Sequence, residues 1–318
     1  MRVRSRVRSR VRPVFLFLAA LSTGLATSPA LAQQDFSAVQ IEATHVAGTV
    51  WMLVGQGGNI GVSSGPDGVL MVDDQFAPLA DKIRAALREV GQSEEAAEPR
   101  FLLNTHFHGD HTGGNADFGD ASTIVAHTNV RSRLAAGGSP DEALPVVTFD
   151  QALSIHFNGE EIRAFHIPNG HTDGDALIYF MDSNVLHMGD DFFSGRFPFV
   201  DIDSGGSVEG LAGGIQQVLD NVPADIRLIP GHGPLSSVDD LRTYHRMITE
   251  TIAMVRGKID RGMSSEEIQG EGVSDEWADW GAGFISTERW LDTVHRSLSG
   301  GAGAENTEHG HGTGASHR

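Results

Sequence analysis

The run Asn104-Thr105-His106-Phe107-His108-Gly109-Asp110-His111-Thr112-Gly113-Gly114-Asn115 places four metal-competent side chains within six positions. It follows Phe101-Leu102-Leu103, an apolar triplet that predicts a short buried strand. Loops just past such strands are where a fold presents functional side chains. His106 and His108, two apart in extended chain, can point the same way and share one ion, while Asp110 and His111 face a neighbouring position. Imidazole and carboxylate without thiolate suit Zn2+ at about 2.0–2.2 Å. With 15 histidines among 318 residues, chance yields this arrangement about 0.003 times, so a plain polar loop is a weak account of it.

Moving outward from the run, residues 39–74 read as short β-rich segments (49–54 and 69–72) broken by turns at 55–58 and 66–68. Residues 78–90 predict an amphipathic helix with Leu79, Ile83, Ala86 and Leu87 on one face. Beyond the run, 122–126 predicts a strand and 128–135 a helix. A second strand-rich stretch covers 146–187, with a hairpin at Asn158-Gly159 and strands at 176–181 and 185–188. Helix returns at 208–222 and 238–261, with a short strand at 226–229 between them, and Thr287 is the expected N-cap of a last helix ending at Leu298. The order of strands followed by helix thus occurs twice. That duplication predicts two sheets packed face to face with helices outside, a four-layer αββα sandwich of the α/β class.

The quoted run resembles the metal-binding motif of the metallo-β-lactamase-fold hydrolase superfamily. The resemblance extends over about residues 39–298, and the family's later elements have matches in the family's order. They are His171 in Gly170-His171-Thr172, Asp190 in Met188-Gly189-Asp190 and His232 in Pro230-Gly231-His232-Gly233. What the resemblance implies is a first site of His106, His108 and His171 and a second of Asp110, His111 and His232. Asp190 and a water would bridge two Zn2+ ions. Two such ions can share a hydroxide, since binding lowers the pKa of water to near 7, and that hydroxide would attack a carbonyl carbon. Asp110 is the expected catalytic residue, orienting the nucleophile and carrying its proton to the leaving atom.

The neighbouring acids and histidines read as supporting residues. Asp191 is a loop-capping acid as readily as a ligand; Asp173 and Asp175 hold the loop after His171 or orient an imidazole. His166 and His187 at strand ends read as satisfied structural histidines, and Trp277, Trp280 and Trp290 as core or pocket-rim residues.

The family scaffold hosts many chemistries. Its best-known β-lactamase subclass has cysteine at the bridging position; aspartate there resembles glyoxalase-II-type thioesterases and lactonases. The expectation is an exported zinc-dependent hydrolase of a small carbonyl substrate, an ester, lactone or β-lactam. The alternatives are a glyoxalase-II-like thioesterase, an iron-dependent oxidoreductase of the same fold, and a non-catalytic zinc-binding protein. Metal content and oxygen consumption separate the oxidoreductase from a hydrolase.

Composition narrows the classes further. The chain has no cysteine, which excludes disulfides, thiolate ligands and cysteine nucleophiles, and 23 Lys+Arg against 42 Asp+Glu argue against nucleic-acid partners. Six arginines in residues 1–12, an apolar run from Val14 to about Leu25 and Ala30-Leu31-Ala32 predict a secretory signal peptide cleaved after Ala32. The apolar run is too short for a membrane anchor. The mature chain would carry 17 basic and 42 acidic residues, a net charge of -25, and reside in a bacterial periplasm. The expected organisation is signal peptide 1–32, catalytic domain 33–298 and a disordered Gly/His-rich tail 299–318. The expected partner is a small-molecule substrate, with no nucleic acid and no membrane anchor.

Overall fold

The computed structural model describes residues 35–300; the expected signal peptide and nearly all of the expected tail lie outside them. The first sheet has seven strands in sequence order: β1 (Glu42–Ala47), β2 (Val50–Val54), β3 (Ile60–Gly65), β4 (Gly68–Val72), β5 (Phe101–Leu103), β6 (Thr123–His127) and β7 (Val147–Phe149). Strands β1 to β4 pair antiparallel and β4 to β7 parallel. The second sheet holds β8 (Ala152–Phe157), β9 (Glu160–His166), β10 (Ala176–Phe180), β11 (Val185–His187) and β12 (Arg227–Ile229), in the spatial order β12-β11-β10-β9-β8.

Strand alternation builds the layers. In β4, Leu70 and Val72 face the other sheet, and with Leu103 and Val125 they meet Ile162, Ala164, Ile178, Phe180 and Ile229 in one buried cluster. The intervening Val69 and Met71, with Leu102 and Ile124, turn outward onto Ile83 and Leu87 of α1 (Ala80–Gly91). The connections after β5 and β6 carry the short helices α2 (Gly109–Thr112) and α3 (Asn115–Phe118), then α4 (Thr128–Ala136). On the far side, Leu177, Leu186 and Leu228 pack against α5 (Val208–Asn221), α6 (Val238–Ile259), α7 (Ser265–Glu271) and α8 (Thr287–Gly300). Two sheets with helices on both outer faces make the expected αββα sandwich.

Local chemistry explains the boundaries. Asn158 and Gly159 form a two-residue turn between paired Phe157 and Glu160, both with positive φ (54° and 85°), which the twist of a tight hairpin demands. Ser237 and Asp240 form a reciprocal capping box that starts α6. Two expectations are corrected. The cap of α8 is Ser286, whose hydroxyl accepts from the Arg289 amide, and Thr287 is the first helical residue. The expected loop after β5 stays irregular only to His108 and then winds into α2, so Asp110 and His111 project from a helical turn.

Candidate metal centre

All seven expected ligands lie just past strand ends on one side of the two sheets. The loop after β5 supplies His106, His108, Asp110 and His111; the turns after β9, β11 and β12 supply His171, Asp190 and His232. The loop after β5 is closed by its own end residues, since Asn104 and Asn115 exchange amide hydrogen bonds of 3.0 Å in both directions.

The side chains gather as two adjacent groups, His106, His108, His171 and Asp190, and Asp110, His111 and His232, with donor atoms in each group within 4.8 Å of one another. In the first, His171 Nε2 lies 2.8 Å from His108 Nδ1. Asp190 Oδ2 is 3.8 Å from His106 Nε2 and 3.6 Å from His171 Nε2. The other oxygen of the same carboxylate faces the second group, 3.1 Å from His111 Nε2 and 3.4 Å from His232 Nε2. Asp110 Oδ2 completes that group at 3.3 Å from His232 Nε2 and 3.8 Å from His111 Nε2. Four ligands around an ion at about 2.0–2.2 Å stand about 3.3–3.6 Å apart, so these spacings fit a divalent cation in each group.

A second observation argues for cations. His106 Nε2, His111 Nε2 and Asp190 Oδ1 are buried and have no hydrogen-bond partner. His111 Nε2 and Asp190 Oδ1 still face each other at 3.1 Å, but an inward-facing buried nitrogen such as His106 Nε2 is costly to leave unpartnered unless an ion meets it. The outward ring nitrogens are satisfied: His108 Nε2 by Asp201 (3.0 Å), His171 Nδ1 by the Phe199 carbonyl (2.8 Å), and His111 Nδ1 by Asp73 (2.7 Å). Thr105 donates its hydroxyl to Asp73 at 2.7 Å, leaving a lone pair for His106 Nδ1–H at 3.1 Å. These partners select the tautomers that turn a lone pair inward. The approach also requires two glycines. A Cβ on Gly58 would fall 2.1 Å from the His111 ring, and one on Gly231 would fall 2.1 Å from Asp190 Oδ1.

The two groups differ in charge. Burial, with help from His111, holds His106 well below the usual imidazole range, and burial takes His171 down to about 4. Burial opposes charge on His111 and His232 as well, yet Asp190 and the neighbouring acids outweigh it. They hold His111 well above the usual range and raise His232 to about 9. Burial disfavours charge on Asp190 too, but His111 and His232 keep it well below the carboxylate range, and Asp110 is lowered for the same reasons. Side chains of His106, His111, His171 and Asp190 are almost fully buried, whereas Asp110 and His232 are 28% and 22% exposed, so the centre opens towards them.

Comparison with known proteins agrees with this geometry. The sequence profile described as the metallo-beta-lactamase superfamily matches residues 53–233, more than half of the chain. The chain belongs to the metallo-beta-lactamase superfamily. It is 32% identical over 155 residues to the 2,4-dinitroanisole O-demethylase subunit alpha of Nocardioides sp., covering 47% of this chain and 46% of that one. It is 30% identical over 97 residues to a hydroxyacylglutathione hydrolase of Pelagibacter ubique, covering 30% of this chain and 37% of that one. The chain therefore matches less than half the length of either relative. A metallo-beta-lactamase from Pontibacter korlensis superposes with a TM-score of 0.55 at 17% identity, over 66% of this chain and 99% of that one, which speaks for the fold.

Within this superfamily centre, the neighbouring residues take distinct supporting places. Asp191 accepts from the His171 amide, Asp175 accepts from the Thr172 amide at 2.7 Å, and Asp173 pairs bidentately with Arg133. His187 donates to the Asn59 carbonyl, His166 donates to that of Asp175 and stacks on His127, and Trp277 and Trp290 are buried. Sequence reading missed Asp73, Thr105, Phe199 and Asp201. Asp73 had a signal, being an acid directly after the apolar β4 as the histidine run is after β5. Asp201 and Phe199 had none, because they reach the site from a loop 93 and 28 positions from the histidines they hold.

Proposed function

We propose that this chain is an exported dizinc hydrolase that cleaves a small carbonyl compound, an ester, lactone or β-lactam. The observation that carries the reading is the Asp190 carboxylate, which turns one oxygen to each of two adjacent ligand groups. Imidazole and carboxylate donors without thiolate favour zinc. The hydroxyacylglutathione hydrolase relative supports a thioester as a second substrate type.

A pair of bound divalent ions supplies Lewis acidity and lowers the pKa of a coordinated water to near 7. The protein's own residues do the rest. His106, His108 and His171, each locked in one tautomer, would hold the first ion, and Asp110, His111 and His232 the second. Burial of His106, His111, His171 and Asp190 keeps bulk water from competing at the inner side. Asp110, kept deprotonated despite burial by His111 and His232, sits at the open side, where its carboxylate can orient the nucleophile and move a proton to the leaving atom.

Chromogenic β-lactam, lactone, aryl ester and thioester substrates, run alongside elemental analysis, test this. The expected result is two zinc ions per chain and turnover of at least one class, lost on chelation and restored by zinc. Turnover indifferent to chelation would contradict it. N-terminal sequencing of protein recovered from a periplasmic fraction is expected to begin at Gln33; a retained Arg-rich segment would contradict export by cleavage.

A further inference from the structure

We propose that Phe193 is the positioning residue of His232, holding by ring stacking the one imidazole of the centre that no oxygen supports from outside; this rests on the two-ion reading above. The other four imidazoles each have an oxygen on the outer nitrogen. Thr105 serves His106, Asp201 serves His108, Asp73 serves His111 and the Phe199 carbonyl serves His171. Among the described residues, the polar contacts of the His232 ring are both made by Nε2, to Asp110 at 3.3 Å and Asp190 at 3.4 Å, which leaves Nδ1 without one. Those two acids are themselves ligands of the expected ions, so neither is an outer support. In that place stands a ring: Phe193 lies 4.9 Å from the imidazole, centre to centre, at 27° to its plane. Phe193 belongs to the buried apolar cluster between the second sheet and its helices, so its own position is set by packing.

The backbone brings the two rings together. Phe193 and His232 form a parallel bridge, in which the Ser194 amide donates to the His232 carbonyl at 2.9 Å, and the Gly231 amide donates to the Phe192 carbonyl at 3.0 Å. From the other side Asn59 donates its side-chain amide to the carbonyls of Pro230 and Gly233, both at 2.9 Å. The main chain of the turn is thereby fixed, and the freedom left to His232 is rotation of its side chain. A face-stacked neighbour restricts that rotation to one ring plane, the plane in which Nε2 meets the second group of ligands. Phe193 also comes within 6.4 Å of His171, but that ring is tilted by 53° and is already held by the Phe199 carbonyl. Phe193 therefore serves the second ion and not the first.

The test titrates zinc into the metal-free full chain against a competing chelator and reads the two affinities separately. Phe193→Leu keeps most of the apolar volume but removes the flat face. It is expected to weaken the second ion by roughly 3- to 10-fold and to leave the first within about twofold. Phe193→Tyr, which keeps the ring, should restore most of the loss. Phe192→Leu is the control for damage to the core, since the buried Phe192 ring packs on Tyr244 at 5.1 Å rather than on a ligand; both affinities should stay at the wild-type value. A second-ion affinity lowered by less than about threefold in Phe193→Leu, an equal fall for both ions, or the same fall in Phe192→Leu overturns the proposal. NMR relaxation of the histidine rings in metal-free protein decides independently of zinc. A fall in the order parameter of the His232 ring alone in Phe193→Leu supports the stack, and an unchanged value overturns it. Failure of the wild type to take up two zinc ions would count against the two-ion reading alone.

Discussion

The two halves of the metal centre are built on opposite electrostatic plans. The group of His106, His108 and His171 is a cage of imidazoles, each turned inward by an oxygen partner on its outer nitrogen, and burial suppresses the protonation of His106 and His171. The group of Asp110, His111 and His232 is held by charge, with two imidazoles that favour protons set against Asp190, Asp110 and Asp73. The first is ready for a cation, while the second must release protons to accept one. Asp190 is common to both, and an ion added on one side changes the field felt on the other.

Removing the shared carboxylate should have the largest effect. Asp190→Ala is expected to drop zinc below two per chain and turnover by more than about 1000-fold, since several kcal/mol of transition-state stabilisation depend on the ion pair; steady-state kinetics with elemental analysis checks both. Asp110→Asn keeps the shape but removes the carboxylate proposed to carry the proton, and kcat should fall about 100- to 10,000-fold, with circular dichroism unchanged.

Smaller effects separate the two halves. Asp201→Asn weakens only the support of His108, so zinc affinity should fall roughly 10- to 100-fold for one ion, measured by competition with a chelator. Asp73→Asn should cost as much at the other ion, and also about 1–3 kcal/mol of folding stability in urea, because Asp73 accepts from the Thr105 amide, the Thr105 hydroxyl and His111. The pH dependence should divide in the same way. After chelation His232, raised to about 9, binds a proton below that pH and His111 is held protonated too, so affinity for the second ion should fall by at least about tenfold per unit as pH drops from 9. His171, lowered to about 4, stays neutral until far lower pH, so the first ion should hold on through the neutral range. Zinc titrations at several pH values, with two ions released in parallel, would break the distinction.

Much of the fold was legible because local signals coincide with the long-range solution. The apolar triplet of β5, the Asn158-Gly159 turn and the face of α1 each encode a local or packing direction in a few neighbouring residues. The seven residues of the centre were likewise visible as short spellings after strands, and the structure brings them together. Harder to read were features set by distant contacts. Ser286 takes the cap because the chain enters α8 one residue earlier than the threonine suggests. The winding of 109–112 into α2 follows from closure of the loop by Asn104 and Asn115, whose pairing no periodicity reveals. Asp201 and Phe199 support the histidines from a loop with no pattern of its own, and only the packed chain puts them there.

The central claim is that one carboxylate joins two cation sites. Anomalous diffraction at the zinc edge from crystals of the zinc-loaded protein measures it directly. The expected result is two peaks about 3.5–4 Å apart, one among His106, His108 and His171 and one among Asp110, His111 and His232, with Asp190 reaching both. A single peak, or a pair that leaves Asp190 uncoordinated, would contradict it.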